Sequence, residues 1–148
     1  MRYLLILFVF LVASCSLNHS GKSFDTYNIT VESSVALKIS SINNIIEKAL
    51  DDGEEWPFSP LQITFKVLGN DQEIQKLNLI QEANLVENPD LVTSVIIRDG
   101  FLDDSVRGDW HQITFSKEAT GSWRIIEIQR AHRCWREDSN IYRSDLCP

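Results

Sequence analysis

The sequence predicts an α+β domain in which an N-terminal helix packs on a curved antiparallel sheet of about four strands. Three observations carry that expectation. Apolar residues recur at helical spacing between Val35 and Leu50. Downstream, short runs rich in β-branched and aromatic residues are separated by Gly, Pro, Asn and Asp. The order, a helix followed by a strand, a short helix and three antiparallel strands, is an α+β pattern.

The helix rests on Val35, Ile39, Ile42, Ile46 and Ala49, spaced by four, three, four and three, with Ile45 and Leu50 widening the stripe. Ser33 or Ser34 is the expected N-cap and Gly53 the stop. Trp56-Pro57-Phe58-Ser59-Pro60 predicts a rigid turn. Leu61, Ile63, Phe65 and Val67 then alternate with Gln62, Thr64 and Lys66, the period of a half-buried strand. Gly69-Asn70-Asp71 breaks that run. Between Gln72 and Val86 two patterns compete: Ile74, Leu77, Ile80 and Ala83 predict a short helix capped by Asp71, while Leu77, Leu79 and Leu85 fit extended structure. The helix is preferred. Asn88-Pro89-Asp90 is a turn, and Leu91 to Arg98 a strand. Trp110 to Ser116 and Trp123 to Cys134 form a hairpin closed by Glu118-Ala119-Thr120-Gly121. Cystatin-like and NTF2-like arrangements fit this order of elements.

The N-terminus carries a different message. Met1-Arg2 is a short positive start, the eleven residues from Tyr3 to Ala13 are almost wholly apolar, and Val12-Ala13-Ser14-Cys15 follows. A membrane-spanning helix needs about 20 apolar residues, so the segment is expected to be an export signal outside the fold. Its small residues before Cys15 resemble the bacterial lipobox; an ordinary secretory cleavage site is the rival. The resemblance implies that Cys15 is acylated and becomes the new N-terminus, with two or more chains anchoring firmly because each buried methylene contributes about 0.8 kcal/mol. It also implies a bacterial envelope location, and Ser16 in place of an aspartate implies the outer membrane if the host has two. Residues 1–14 are thus the expected signal, 15–23 a polar tether, and 24–148 a single domain.

Once the signal is removed, 134 residues remain, and the loss of Arg2 takes the formal charge from −7 to −8. Such an acidic domain is a poor partner for nucleic acid. Two cysteines then remain, Cys134 and Cys147, and an even pair in an exported domain predicts a disulfide. A metal pair with His132 or a redox pair is the alternative, though both favour closer spacing or further ligands. No metal or other cofactor is expected.

Two constellations carry polar chemistry. In the first, Asp103, Asp104, Asp109 and His111 follow Asp99-Gly100, but the acids match no calcium-loop spacing. The preferred explanation is a turn whose aspartates bond backbone N–H groups and pair with Arg107. The tripeptide Arg107-Gly108-Asp109 carries no functional weight by itself. The second constellation is basic: Arg124, Arg130, His132, Arg133 and Arg136, near Trp123 and Trp135. Strict alternation would place Arg124, Arg130 and His132 on one face and Arg133 on the other. Arginine beside tryptophan can clamp a carboxylated or sugar-bearing ligand, but internal pairing with Asp103 or Asp104 is the preferred expectation. Nucleophile elbows, phosphate loops and His-Glu-x-x-His are absent from the sequence.

Asp99-Gly100, Asp103-Asp104-Ser105-Val106-Arg107-Gly108, Gly121-Ser122-Trp123-Arg124, Arg133-Cys134-Trp135 and Cys147-Pro148 together resemble a family of small exported bacterial proteins without an assigned activity. This resemblance spans roughly the last fifty residues and implies a disulfide-closed domain. The expectation is a lipid-anchored, non-catalytic binding module for an envelope protein or polysaccharide. Its candidate surface is Asp103, Asp104, Arg107, Asp109, Trp110, His111, Arg130, His132 and Arg133. The alternatives are an inhibitor or immunity-type protein directed at a periplasmic enzyme, and a hydrolase using Asp104 or Asp109 with His111. An exposed loop presenting Trp110 would favour the inhibitor; a concave sheet face lined by Arg and Trp would favour a small ligand.

Overall fold

The computed structural model describes residues 29–69, 73–137 and 140–147. The signal, Cys15 and the tether lie outside the described residues, as does the expected cap Asp71. The fold is α+β. Two short strands, β1 (Thr30–Val31) and β2 (Val35–Ala36), precede helix α1 (Ser40–Asp51). A 3-10 turn at Trp56–Phe58 leads into helix α2 (Pro60–Leu68). Then come β3 (Lys76–Ala83), β4 (Leu91–Asp99), β5 (Val106–Lys117), β6 (Trp123–Cys134) and β7 (Ile141–Tyr142). Five strands form an open antiparallel sheet in the order β2-β6-β5-β4-β3, and β1 pairs in parallel with β7.

The sheet buries both faces, unequally. On the helix side, Val92, Ile96, Ile113, Phe115, Ile125 and Ile128 meet Ile46 of α1 and Ile63 of α2, with Trp56 and Leu79 packed around them. The opposite face holds a smaller cluster of Ile97, Trp110, Ala131 and Tyr142, against which Ile29 and Val31 pack. The terminal β1–β7 pair thus covers the back of the sheet. A bridge between His132 and Arg143 ties that cover to β6, and the sulfurs of Cys134 and Cys147 lie 2.02 Å apart, at disulfide distance.

Four expectations are corrected. Helix α1 begins at Ser40 behind Ile39, which makes no side-chain cap. Val35 belongs to β2 and is 48% exposed. The serines expected as caps have other work: Ser33 Oγ accepts from the Ser144 N–H (3.0 Å), and Ser34 Oγ donates to Gln129 (3.1 Å). Second, Leu61 to Val67 is helix, not strand. Ser59 accepts from the Gln62 N–H as N-cap, and Pro60 occupies the first turn. Ile63 and Val67, read as alternating, are also four apart and share a helical face. Third, β3 replaces the helix expected near Ile74 to Ala83. Each of its residues pairs with β4, from Lys76 opposite Asp99 to Ala83 opposite Val92, and long-range pairing overrides a weak helical period. Fourth, the large sheet has five strands, because β2 and β3 supply its edges.

Strand β6 departs from simple alternation. Thr114 pairs with Glu127 and Phe115 with Ile125, so Ile126 is an extra residue with no partner on β5. Trp123 and Ile125 therefore face the helices together with Ile128, while Ile126 is exposed. The face assignment of the basic residues is corrected in turn. Arg124 and Arg130 do not alternate in phase, because the bulge lies between them. Beside it, buried Asn43 of α1 donates Nδ2 to the Ile125 carbonyl (2.9 Å) and accepts the Ile125 N–H at Oδ1 (3.1 Å). One amide thus satisfies two main-chain groups at an irregular point of the sheet.

Leucine at position 43 strands both groups, each costing about 1–3 kcal/mol when buried and unpaired. Asn43→Leu is therefore expected to destabilise the domain by about 3 kcal/mol, read as a lower urea midpoint with an unchanged slope. An unchanged midpoint contradicts the bracing role.

Candidate functional site

A cavity of about 360 Å³ opens between the helices and the C-terminal half of the sheet. Leu37, Ile42, Val67, Leu68, Phe101 and Val106 give it apolar walls. Its polar lining comes from four strand positions or their flank: Arg98, Asp109, His111 and Arg130, with Asp103 from the β4–β5 loop. Register explains this convergence. Arg98 pairs with Asp109 across β4 and β5, and His111 with Arg130 across β5 and β6, so the partners of each pair share a face.

Asp109 is 2% exposed, and its charge is met by a two-pronged contact. Arg98 Nε donates to Oδ1 at 2.8 Å and Nη2 to Oδ2 at 2.6 Å. Arg98 also donates Nη1 to the Leu68 carbonyl at the end of α2 (3.3 Å) and lies 5.4 Å from the Phe101 ring centroid. One guanidinium thus joins sheet, helix end and cavity wall. Breaking such a buried pair by removing one partner typically costs about 3–5 kcal/mol.

His111 is 6% exposed and its Nδ1 has no hydrogen-bond partner among the described residues. Asp109 Oδ1 is 3.7 Å from that atom, too far for a hydrogen bond. Burial pushes the imidazole pKa down from 6.5 to about 4; the Asp109 charge opposes this, and Arg98 and Arg130 reinforce it. The imidazole is therefore neutral at pH 7. Asp103 Oδ1 accepts the N–H groups of Ser105 (2.8 Å) and Val106 (2.6 Å), and these bonds lower its pKa. Asp104 bonds only to its neighbour Ser105 (Oγ, 3.4 Å) among the described residues and does not line the cavity.

The nine residues expected to form one surface are divided between several environments. Asp103, Asp109, His111 and Arg130 gather at the cavity. Trp110 is buried in the back cluster. Arg107 and Arg133 both reach Asp99, at 3.2 and 3.3 Å, and Arg107 stacks over Trp135 at 5.0 Å. Of the basic constellation, Arg133 pairs internally with Asp99 in place of Asp103 or Asp104, while Arg130 makes no ion pair among the described residues. Arg124 pairs with Glu47 of α1 (3.2 Å). His132, Cys134 and Cys147 bring a ring nitrogen and two sulfurs within 4.8 Å of one another. With the sulfurs joined, neither thiolate is free to ligate a metal.

Arg98 is the site residue that the sequence reading missed. Its signal was present: Val92, Ser94, Ile96 and Arg98 share one parity, and a charged residue ending a buried face requires an internal partner. Gly108 was also decisive. A Cβ there would sit 2.3 Å from the Arg98 carbonyl oxygen, so only glycine lets β4 and β5 approach at this point.

In comparisons with known proteins, no family model, no curated protein and no solved structure matches the chain.

The neutral imidazole has a measurable consequence. Above pH 6.5 folded and unfolded chains both hold it uncharged; between 6.5 and about 4 only the unfolded chain takes up the proton. Stability from this group is thus lost as pH falls through that window. Lowering the pH from 7 to 5 is expected to cost about 2 kcal/mol through His111. As the pH is lowered from 7 to 5, urea midpoints of wild type should fall more steeply than those of His111→Gln; equal slopes contradict a buried neutral imidazole.

Proposed function

We propose that the chain is a lipid-anchored bacterial envelope protein whose folded domain is a non-catalytic binding module, and that the cavity receives a small ligand. The observation that carries this reading is the cavity itself: about 360 Å³, with apolar walls and a buried polar end at Arg98, Asp109 and His111. Small-molecule sites combine these features at volumes of about 300–1,000 Å³. The anchor rests on the lipobox resemblance around Cys15. Two helices over an open antiparallel sheet we read as a cystatin-like or NTF2-like arrangement with a curved sheet.

The site favours a small ligand over the protein or polysaccharide partners first expected. Trp110 is buried and offers no exposed anchor to an enzyme target, so the inhibitor reading loses its main support. Trp135, over which Arg107 stacks, is exposed and is not among the residues that line the cavity. One observation keeps a hydrolase as the second reading: a neutral imidazole stands 3.7 Å from the Asp109 carboxylate inside a cavity. The same carboxylate is already held by Arg98, and Asp104 stands apart.

The test is native mass spectrometry of the full chain extracted from bacterial envelopes, beside Cys15→Ser and the cavity-filling Val67→Trp. The expected result is acyl mass on the wild type, absent from Cys15→Ser, together with a small molecule retained by wild type and lost in Val67→Trp. A wild type without acyl mass overturns the anchor. Retention of a macromolecule alone, unaffected by Val67→Trp, overturns the cavity reading.

A further inference from the structure

We infer that the cavity takes a small anionic amphiphile, with its charged end received between Arg130 and His111 and its apolar body against the helix walls. The inference rests on the reading of the cavity as a ligand site and adds the chemical class of the ligand. Three independent features point to an anion.

The first is an imbalance among the arginines. Arg98, Arg107, Arg124, Arg133 and Arg143 each meet a carboxylate. Arg130 lines the cavity, is exposed, and makes no ion pair among the described residues. Its planar fork is suited to carboxylate or phosphate oxygens. The second is the neighbouring imidazole. His111 is the cross-strand partner of Arg130, lines the same cavity, is more than nine-tenths buried, and keeps an unbonded Nδ1. A neutral imidazole has one N–H to donate, and a ligand oxygen beside Arg130 would receive it.

The third is the state of the acids. Asp109 is neutralised by the two-pronged contact with Arg98, and Asp103 Oδ1 is occupied by two backbone N–H groups. With Arg98 paired, Arg130 is the cation of the lining that has no carboxylate partner among the described residues, while Asp103 remains an exposed anion on the loop. Leu37, Ile42, Val67 and Leu68 provide the surface against which an alkyl or aromatic body gains by leaving water. An uncharged amphiphile would use those walls and could offer His111 or Arg130 a neutral hydrogen bond, but it brings no charge to offset the guanidinium. A cation would meet Arg130 unfavourably.

Carboxylate and phosphate monoester share this chemistry, and titration calorimetry separates them. The protein is the chain from residue 15 onward, carrying Cys15→Ser and lacking the expected signal 1–14, so that neither acyl chains nor the apolar leader call for detergent. The probes are decanoate, decyl phosphate and decanol, each below its micelle concentration. At least one anion is expected to bind about tenfold more tightly than decanol, and the tighter one identifies the headgroup. Adding Arg130→Gln should remove that preference and leave decanol affinity unchanged. Equal binding of decanol and both anions, abolished by Val67→Trp, overturns the anion inference and leaves the cavity as a ligand site. A preference that survives Arg130→Gln overturns the assigned headgroup position. No binding of any probe overturns the amphiphile class, and the small molecule retained from envelopes then decides the cavity reading separately.

Discussion

The extra residue in β6 is the constraint from which the two sides of this sheet follow. Ile126 has no partner on β5, and beyond it the inward and outward faces of β6 exchange places. Before the bulge Trp123 and Ile125 point to the helices; after it Ile128 does so, followed by Arg130. A strand with strict alternation would have put Ile128 and Arg130 on the back of the sheet. The bulge thus completes the helix-side core and delivers a guanidinium to the cavity in the same step. Its local cost falls on the main chain, and Asn43 meets it by bonding both the N–H and the carbonyl of Ile125. Helix α1 is in this way held at a fixed position over β6 by a polar contact as well as by Ile46.

At the other end of the sheet, two neighbouring residues of β4 point opposite ways and organise two charge networks. Arg98 turns to the helix side and closes on Asp109. Asp99 turns to the back and gathers Arg107 and Arg133. Arg133 also donates Nη1 to Asn140 (3.0 Å), next to β7. Burial raises the pKa of the Tyr142 phenol in the adjoining cluster. The segment Arg107-Gly108-Asp109 is therefore structural throughout: one residue stacks on Trp135, one permits close approach of backbones, and one is buried beneath Arg98. None is presented on a loop tip.

The C-terminal strands were legible because their β-branched runs are long and flanked by unmistakable turns, Asn88-Pro89-Asp90 and Glu118 to Gly121. The first seventy residues were harder for a physical reason. Spacing of four fits both a helical face and every second pair of an alternating strand, so Ile63 and Val67 supported either. Ser59-Pro60 was the deciding local signal, as cap and first-turn proline, and it favoured helix. Strand β3 carried little signal of its own because it is an edge strand, held by pairing with β4 and burying only part of one face. The acidic loop drew attention by density of charge, while Arg98, which holds Asp109, and Asn43, which braces the bulge at Ile125, stood inside apolar runs. A single charged or amide residue at a buried parity proved more informative than a cluster in a loop.

The central claim is the change of face at Ile126, since both the core and the cavity depend on it. Methyl-resolved NMR of the folded domain tests it directly. The predicted result is a set of contacts from the Ile128 methyls to Ile113 and from Ile125 to Phe115, with the Ile126 methyls showing no contact to that core. Contacts from Ile126 to the helix-side core, with Ile128 directed to Trp110 and Tyr142, would contradict the account and remove Arg130 from the cavity.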